Sequence, residues 1–444
     1  MIVGLLTLII NSVGLAQVTA DTEFPKLSKE ALLTLVQKQT FRYFWDGAEP
    51  HSGMALERYH VDKETPRNQG GVVTTGGTGF GVMALLVGIE RGFAERAAVV
   101  GRLDKIVSFL ERADRFHGVW PHWLNGKTGK VRPFSKKDNG ADLVETAYLA
   151  QGLLAVRQYL NDGTEAEKAL AQRIDQLWRA IEWDWFRQGG QNVLYWHWSP
   201  NFGWEMNHQI RGYNECLITY VLGAASPTHA IDAEVYHEGW ARKGRMRSKT
   251  DGGDQSLGLR HNGADDRGGP LFWAHYSYLG LDPRGLTDRY TDYWEHNTRH
   301  TQLNRQHCID NPHGYKGYGE DCWGLTASYS IKFYAGHSPK RDLGVISPTA
   351  ALSSFPYAPD HALAALEYFY YEQGERLWGP YGFFDAFSEQ ENWYSNGYLA
   401  IDQGPIVVMI ENHRTALLWK LFMACPEVKQ GLTKLGFTSP HLGK

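Results

Sequence analysis

At 444 residues the chain is long enough for several average domains or for one large toroid or barrel. Its 45 Lys and Arg against 49 Asp and Glu leave a net charge of −4 with the basic residues scattered, which argues against nucleic acid as a partner. Hydrophobic residues make up 43%, and the 16 Trp and 23 Tyr add flat apolar faces with polar handles, a composition suited to a wet, aromatic-lined cleft.

The first twenty residues, "MIVGLLTLIINSVGLAQVTA", hold an apolar run too short to span a bilayer comfortably, followed by small residues. They read as a secretory signal over residues 1–20, cut near Ala16 or Ala20, although no Lys or Arg precedes the apolar run. A secreted or periplasmic protein is the expectation. Helical periodicity then begins near residues 29, 78, 94, 142, 165, 213, 230, 270, 288, 323, 360 and 403. The stretches from 29, 94, 165, 288 and 360 carry charged faces and read as outer amphipathic helices. The others, such as "GGTGFGVMALLVGIERG", "ADLVETAYLAQGLLAV" and "DCWGLTASYSI", hold few charges and read as inner helices packed on all sides.

Inner and outer types alternate, and short turns such as "RGFAER" and "NDGTEAE" join each inner helix to the outer one that follows. Six such hairpins predict an all-α fold, a closed (α/α)6 toroid forming a single domain over residues 26–437. Strand-like stretches are few: "NVLYWHWSP" and "YGFFDAFS" predict short β-hairpins on one rim. The long Arg-, Gly- and Asp-rich loop from Gly244 to Gly269 is placed to close one end of a cleft.

In an alternating toroid the inner helices run parallel, so their N-termini open onto one rim. Asp142 and Glu145 stand at the second inner helix, Glu215 at the third, Glu320 and Asp321 at the fifth and Asp402 at the sixth. Acidic residues favour first helical turns anywhere, and capping accounts for any one of them. Their repetition on inner helices, with aromatic neighbours, points further. Hydrolysis of a glycosidic bond needs one carboxylic acid to protonate the leaving oxygen and one carboxylate to activate water or attack the sugar. Tryptophans in loops, among them Trp120, Trp123, Trp196, Trp198, Trp323 and Trp393, supply rings for stacking on sugars.

Other chemistry finds less support. The chain has no Gly-rich phosphate loop, no G-x-S-x-G and no H-E-x-x-H. His296 and His300 have ligand spacing, with His307 beyond, but their helix reads as outer with a solvated face. "DNGAD", "DGGD" and "NGADD" are pieces of calcium loops without the full ligand pattern, so neither metal nor cofactor is expected. Cys216, Cys308, Cys322 and Cys425 allow three full pairings, and the sequence does not choose among them.

The stretches "TFRYFWDGAEPHSGMALER", "TTGGTGFGVMAL", "DNGADLVETAYLAQGLL", "IRGYNECLITYVLGAASP", "DCWGLTAS" and "IDQGPIVVMIENHRTALLWKLFM" together resemble bacterial endo-β-1,2-glucanases with the glycoamylase-like domain. The resemblance runs from about Lys26 to Phe437. It implies an (α/α)6 barrel and inverting hydrolysis of linear β-1,2-glucan to sophorose-series oligosaccharides, with starch not implied. It also implies Glu215 as general acid and Asp142, Glu145 and Asp402 as acids engaged in catalysis; Asp402 or Asp142 is read as the base, acting on water directly or through a relay. Arg58, Trp120, His122, Trp123, Arg211, Tyr213, Asn214, Trp323 and Tyr398 are the candidate substrate contacts, and a monomer is expected. Exo-acting sophorose release, glucosidase or transglycosylase action and a noncatalytic glycan-binding role are the alternatives.

Overall fold

The computed structural model describes residues 24–62, 71–248 and 257–443. The leader predicted over residues 1–20 lies outside the described residues, as does part of the loop from Gly244 to Gly269. Among the described residues the α-helices are α1 Lys29–Trp45, α2 Thr75–Glu90, α3 Arg96–Leu110, α4 Leu143–Leu160, α5 Glu165–Arg179, α6 Leu217–Ala225, α7 Tyr293–Asp310, α8 Pro348–Leu352, α9 Pro359–Glu367, α10 Gly374–Leu377, α11 Ala400–Thr415, α12 Leu417–Ala424 and α13 Pro426–Lys434. In chain order they form six outer–inner pairs. These are α1 with α2, α3 with α4, α5 with α6, the π-turn Val235–Trp240 with the 3-10 turns Leu271–Ala274 and Tyr276–Tyr278, α7 with α8, and α9 with α11. Helix α2 packs between α4 and α11, which closes the ring into an (α/α)6 toroid. At the C-terminal ends of the inner helices, α12 packs on α4 and α13 on α6.

The two helix types follow from their side chains. In α2 every residue from Thr75 to Gly88 is buried, as is every residue of α6, so neither has a face for water. Outer α5 instead buries Leu170, Ala171, Ile174, Leu177 and Trp178 on one stripe. Its start is fixed locally: Thr164 Oγ1 accepts the Glu167 N–H, and Glu167 Oε2 accepts the Thr164 N–H at 2.7 Å.

Glycine sets how closely α2 and α4 approach. A Cβ on Gly152 would stand 2.1 Å from the Gly79 carbonyl oxygen, and one on Gly79 would stand 2.2 Å from that of Tyr148. Each mid-helix glycine costs about 1 kcal/mol of helix propensity relative to alanine. Backbone contact between the two helices is what that cost allows.

Several predicted starts are corrected. No helix begins near residue 323: Gly324 takes φ +132°, and Ala327–Ser328 pairs with Ala335–Gly336 as a hairpin. The fifth inner position is filled by the short α8, which starts at Pro348, where the missing N–H costs nothing. Gly212, at φ +76°, turns the chain, so the third inner helix begins at Leu217 rather than near 213. Near 230 and 270 the chain makes only π and 3-10 turns. The predicted strands are present as pairs: His197–Trp198 with Ala141–Asp142, Gly382–Phe383 with Trp378–Gly379, and Phe387–Ser388 with Trp393–Tyr394.

Helix α7 is outer, but the solvated face assigned to its histidines is wrong. His296, His300 and His307 are buried. The loop carrying His261 and Gly269 covers two of them, with His261 Nε2 2.9 Å from His296 Nε2 and His300 Nε2 2.9 Å from the Gly269 carbonyl oxygen, while His307 meets Asp342 at 2.9 Å. All four cysteines are buried and free. No helix among the described residues is long and apolar enough to cross a membrane.

Candidate active site

The links from inner to outer helices are short, whereas the connections from outer to inner helices, residues 111–142, 180–216, 311–347 and 373–399, are long. They gather over the N-termini of the inner helices, where the helix dipoles favour negative charge. At α4, Asp142 is the N-cap: its Oδ1 accepts the N–H groups of Val144 at 3.1 Å and Glu145 at 2.9 Å. Its Oδ2 lies 3.0 Å from His122 Nδ1. Glu145 Oε2 accepts the Gly76 N–H from the first turn of α2 at 2.8 Å, and its Oε1 is 3.9 Å from His122 Nε2. A Cβ on Gly76 would stand 2.5 Å from Glu145 Oε2, so glycine is what lets the carboxylate reach this backbone.

His122 therefore sits between two carboxylates. Burial opposes its charge, but Glu145 and Asp142 outweigh that and raise it to about 9, so it is an imidazolium at neutral pH. Asp138 is pushed up to about 7, first by burial and then by the charge of Asp142. His197 Nε2 lies 3.4 Å from Asp138 Oδ2 and 3.7 Å from Asp142 Oδ2, and burial lowers it to about 4, leaving it neutral. Ligand-type atoms of His122, Asp138 and Asp142 all lie within 4.8 Å of one another, the spacing of a metal site. The His122 imidazolium already supplies the cation that these carboxylates need, and a metal would have to displace its proton.

Glu215 occupies the turn just before α6. Its carbonyl oxygen is pinned by the hydroxyls of Ser277 and Tyr148, while its side chain opens partly to solvent and its Oε2 is buried without a partner. Burial, and then the charge of Glu145, push its carboxyl up to about 7, so it keeps its proton well above the usual carboxylate range. Asp402, in the first turn of α11, is buried with neither oxygen hydrogen-bonded. Beside it stands Asp385, whose Oδ2 accepts the Tyr329 N–H at 2.6 Å and whose Oδ1 is orphaned. Burial raises both, Asp385 to about 6, and the charge of Asp385 raises Asp402 further.

Four candidate contacts are corrected by burial. Trp120, Tyr213, Trp323 and Tyr398 are completely enclosed and have no face for a sugar. Trp120 Nε1 donates to the Leu110 carbonyl, Tyr213 donates to Asn297 Oδ1 at 2.8 Å, and Tyr398 packs on Phe384. Asp142 is likewise enclosed, and both of its oxygens are engaged, one by two backbone N–H groups and the other by His122, which fits a cap and histidine anchor. Glu320 and Asp321 are exposed and absent from the cluster, because the helix meant to carry them does not form. Arg58, His122, Trp123, Arg211 and Asn214 are partly exposed. Arg58 is held by Glu57 and Arg211 by Gln209, while Asn214 Oδ1 accepts the Cys216 N–H.

The sequence reading missed Asp385, Asp138, His197 and three exposed rings. Phe134, 53% exposed, lies 4.6 Å from the His122 ring and 4.9 Å from that of Trp123. Phe333 and Tyr334, 68% and 41% exposed, project from the Ala327–Gly336 hairpin, and Tyr334 lies within electrostatic reach of Asp402, Asp385, Glu57 and Glu215. A signal for Asp385 was present, since it is the one charge in the aromatic stretch "YGFFDAFS".

A family model described as "Putative glucoamylase" matches residues 207–426. An endo-beta-1,2-glucanase from Chitinophaga pinensis, in a sophorotriose and glucose complex, is 64% identical. The match covers 94% of this chain and all of that one, with a TM-score of 0.92. A curated relative from Parabacteroides distasonis, named exo beta-1,2-glucooligosaccharide sophorohydrolase (non-reducing end), is 46% identical over 96% of this chain. The chain spans 60% of that relative's length. An endo-beta-1,2-glucanase from Talaromyces funiculosus, 11% identical, shares the fold with a TM-score of 0.66, over 92% of this chain and 88% of its own. The chain belongs to the bacterial endo-β-1,2-glucanase family with the glycoamylase-like domain.

Proposed function

We propose that the protein is a glycoside hydrolase that cleaves linear β-1,2-glucan internally, with inversion, to give sophorose-series oligosaccharides. The observation that carries this reading is a rim where a partly exposed Glu215, its carboxyl pushed up to about 7 by burial, stands with buried Asp402, whose two oxygens have no partner, and with Asp385, whose Oδ1 has none. Glu215 donates its proton to the leaving oxygen, and Asp402, in its ionised form, accepts the proton of the attacking water, directly or through a relay, its own oxygens being enclosed. Inversion requires about 6.5–9.5 Å between acid and base to admit that water. The Chitinophaga pinensis relative, an endo-beta-1,2-glucanase, supports the linkage and the internal mode.

His122, Asp138, Glu145 and Arg58 offer charged donors and acceptors for sugar hydroxyls, and Trp123, Phe134, Phe333 and Tyr334 offer rings for the apolar sugar faces. Exo release of sophorose is the second reading, favoured by the Parabacteroides distasonis relative. Purified protein should be incubated separately with linear β-1,2-glucan, soluble starch, laminarin and cellulose oligomers. Cleavage of β-1,2-glucan alone supports the proposal, and cleavage of another of these polymers in its place overturns it.

A further inference from the structure

Glu215 stands one residue before Cys216, the N-cap of α6, and that cap offers no side-chain hydrogen bond. The first free N–H groups of α6 are served from elsewhere: that of Cys216 donates to Asn214 Oδ1 at 3.0 Å, and that of Ile218 donates to Ser277 Oγ at 3.0 Å. Ser277 belongs to the 3-10 turn Tyr276–Tyr278 at the fourth inner position and is fully buried. Its single hydroxyl proton goes to the Glu215 carbonyl, so one side chain bridges the Glu215 C=O and the Ile218 N–H. In an unbroken helix that carbonyl would take an N–H of its own chain, from Ile218 or Thr219, but the Thr219 N–H goes to the Cys216 carbonyl at 3.0 Å. Resting on the reading of Glu215 as general acid, we infer that Ser277 is the positioning residue of that acid: its hydroxyl, wedged between Glu215 and Ile218, stops α6 from winding back by one residue and so fixes where the Glu215 carboxyl stands.

The post that carries the hydroxyl is rigid. The carbonyl of Tyr276 accepts the side-chain amide of Gln151 at 3.0 Å, and that of Tyr278 accepts Trp419 Nε1–H at 2.7 Å. The residues on both sides of Ser277 are thereby tied to α4 and α12. The Tyr276 ring packs on that of Tyr148, whose own hydroxyl reaches the Glu215 carbonyl at 3.5 Å, a weaker second hold from α4. Glu215 Oε2 is buried with no partner, so little besides the main chain sets where the carboxyl stands. Without the hydroxyl, the Glu215 carbonyl and the Ile218 N–H lie three residues apart in one chain and can bond each other, which is the winding-back that Ser277 prevents.

Ser277→Ala is therefore expected to fold and to lower kcat on the order of 10- to 100-fold with KM held, because a carboxyl displaced by about 1 Å no longer meets the leaving oxygen. The basic limb of the pH profile should move downward by about one unit, since the displaced carboxyl is better hydrated. Ser277→Cys fills the same space with a weak donor and should behave alike; it also decides the matter should the alanine variant not fold. Unchanged kcat and pH profile in either variant, or a lowered kcat with an unmoved basic limb, overturns the inference. Melting curves give a readout without substrate. Glu215→Gln is expected to raise Tm at pH 8, and this gain should shrink when Ser277→Ala is also present. An undiminished gain overturns the inference, whether or not the chain cleaves β-1,2-glucan.

Discussion

His122 Nδ1 lies 3.0 Å from Asp142 Oδ2, and the other oxygen of the same carboxylate caps α4 through two backbone N–H groups. Asp142 thus ties a helix start to a rim histidine and fixes that histidine as a cation. Asp142→Ala should destabilise the protein by about 2 kcal/mol through loss of the cap and the buried partner. His122 titrates at about 9 in the fold against 6.5 ordinarily, so its contribution is full below about pH 6.5 and is lost as pH rises through about 9. Chemical denaturation across this range should show the loss in wild type, and a smaller one in the alanine variant, which keeps Glu145, the largest single influence raising His122.

Glu215→Gln is expected to lower kcat by about 100- to 10,000-fold while glucan binding persists. Since Glu215 is pushed up to about 7, activity that depends on its proton should fall above that pH. The same shift sets a stability prediction. A carboxyl held neutral in the fold and ionised when unfolded stabilises fully below about pH 4.5 and progressively less up to about 7. The glutamine variant should therefore melt at the wild-type temperature at pH 4 and above it at pH 8, as calorimetry would show.

The exposed and enclosed rings should separate cleanly. Phe134→Ala should raise KM several-fold with little change in Tm, because its ring is open to solvent beside Trp123. Trp120→Ala should cost about 3–5 kcal/mol of stability, since its ring is fully enclosed. Calorimetry beside steady-state kinetics tests both, and a KM effect from Trp120→Phe in a stable protein would reverse the assignment.

Gly152→Ala tests the contact beneath the site. Its Cβ would press on the backbone of α2 at 2.1 Å, with no flexible side chain to yield. A loss of about 3 kcal/mol is expected in a denaturant titration, together with reduced kcat, because α2 supplies the Gly76 N–H that holds Glu145.

The rim was legible where chemistry is local. Asp142 begins α4 because a short acidic side chain can reach the next N–H groups, and that rule is visible in "DNGADLVET". The alternation of enclosed and amphipathic helices likewise gave the toroid. What escaped depended on long-range placement. Asp385 and Asp402 meet only because a rim strand region crosses the start of α11, and nothing in "YGFFDAFS" reports that crossing. Trp120 and Trp123 both lie in "VWPHW", yet one is enclosed and the other reaches the rim, a difference set by the strand that Trp123 enters opposite Thr74. The missing helix at residue 323 turned on Gly324, whose positive φ is a backbone choice that apolar periodicity does not carry.

The most direct test is to follow product sizes at early times when wild-type protein and the Glu215→Gln variant act on linear β-1,2-glucan. A ladder of mixed β-1,2-linked oligosaccharides from the wild type, lost in the variant, is the expected result. No cleavage by the wild type, or an equal ladder from both proteins, would contradict the account.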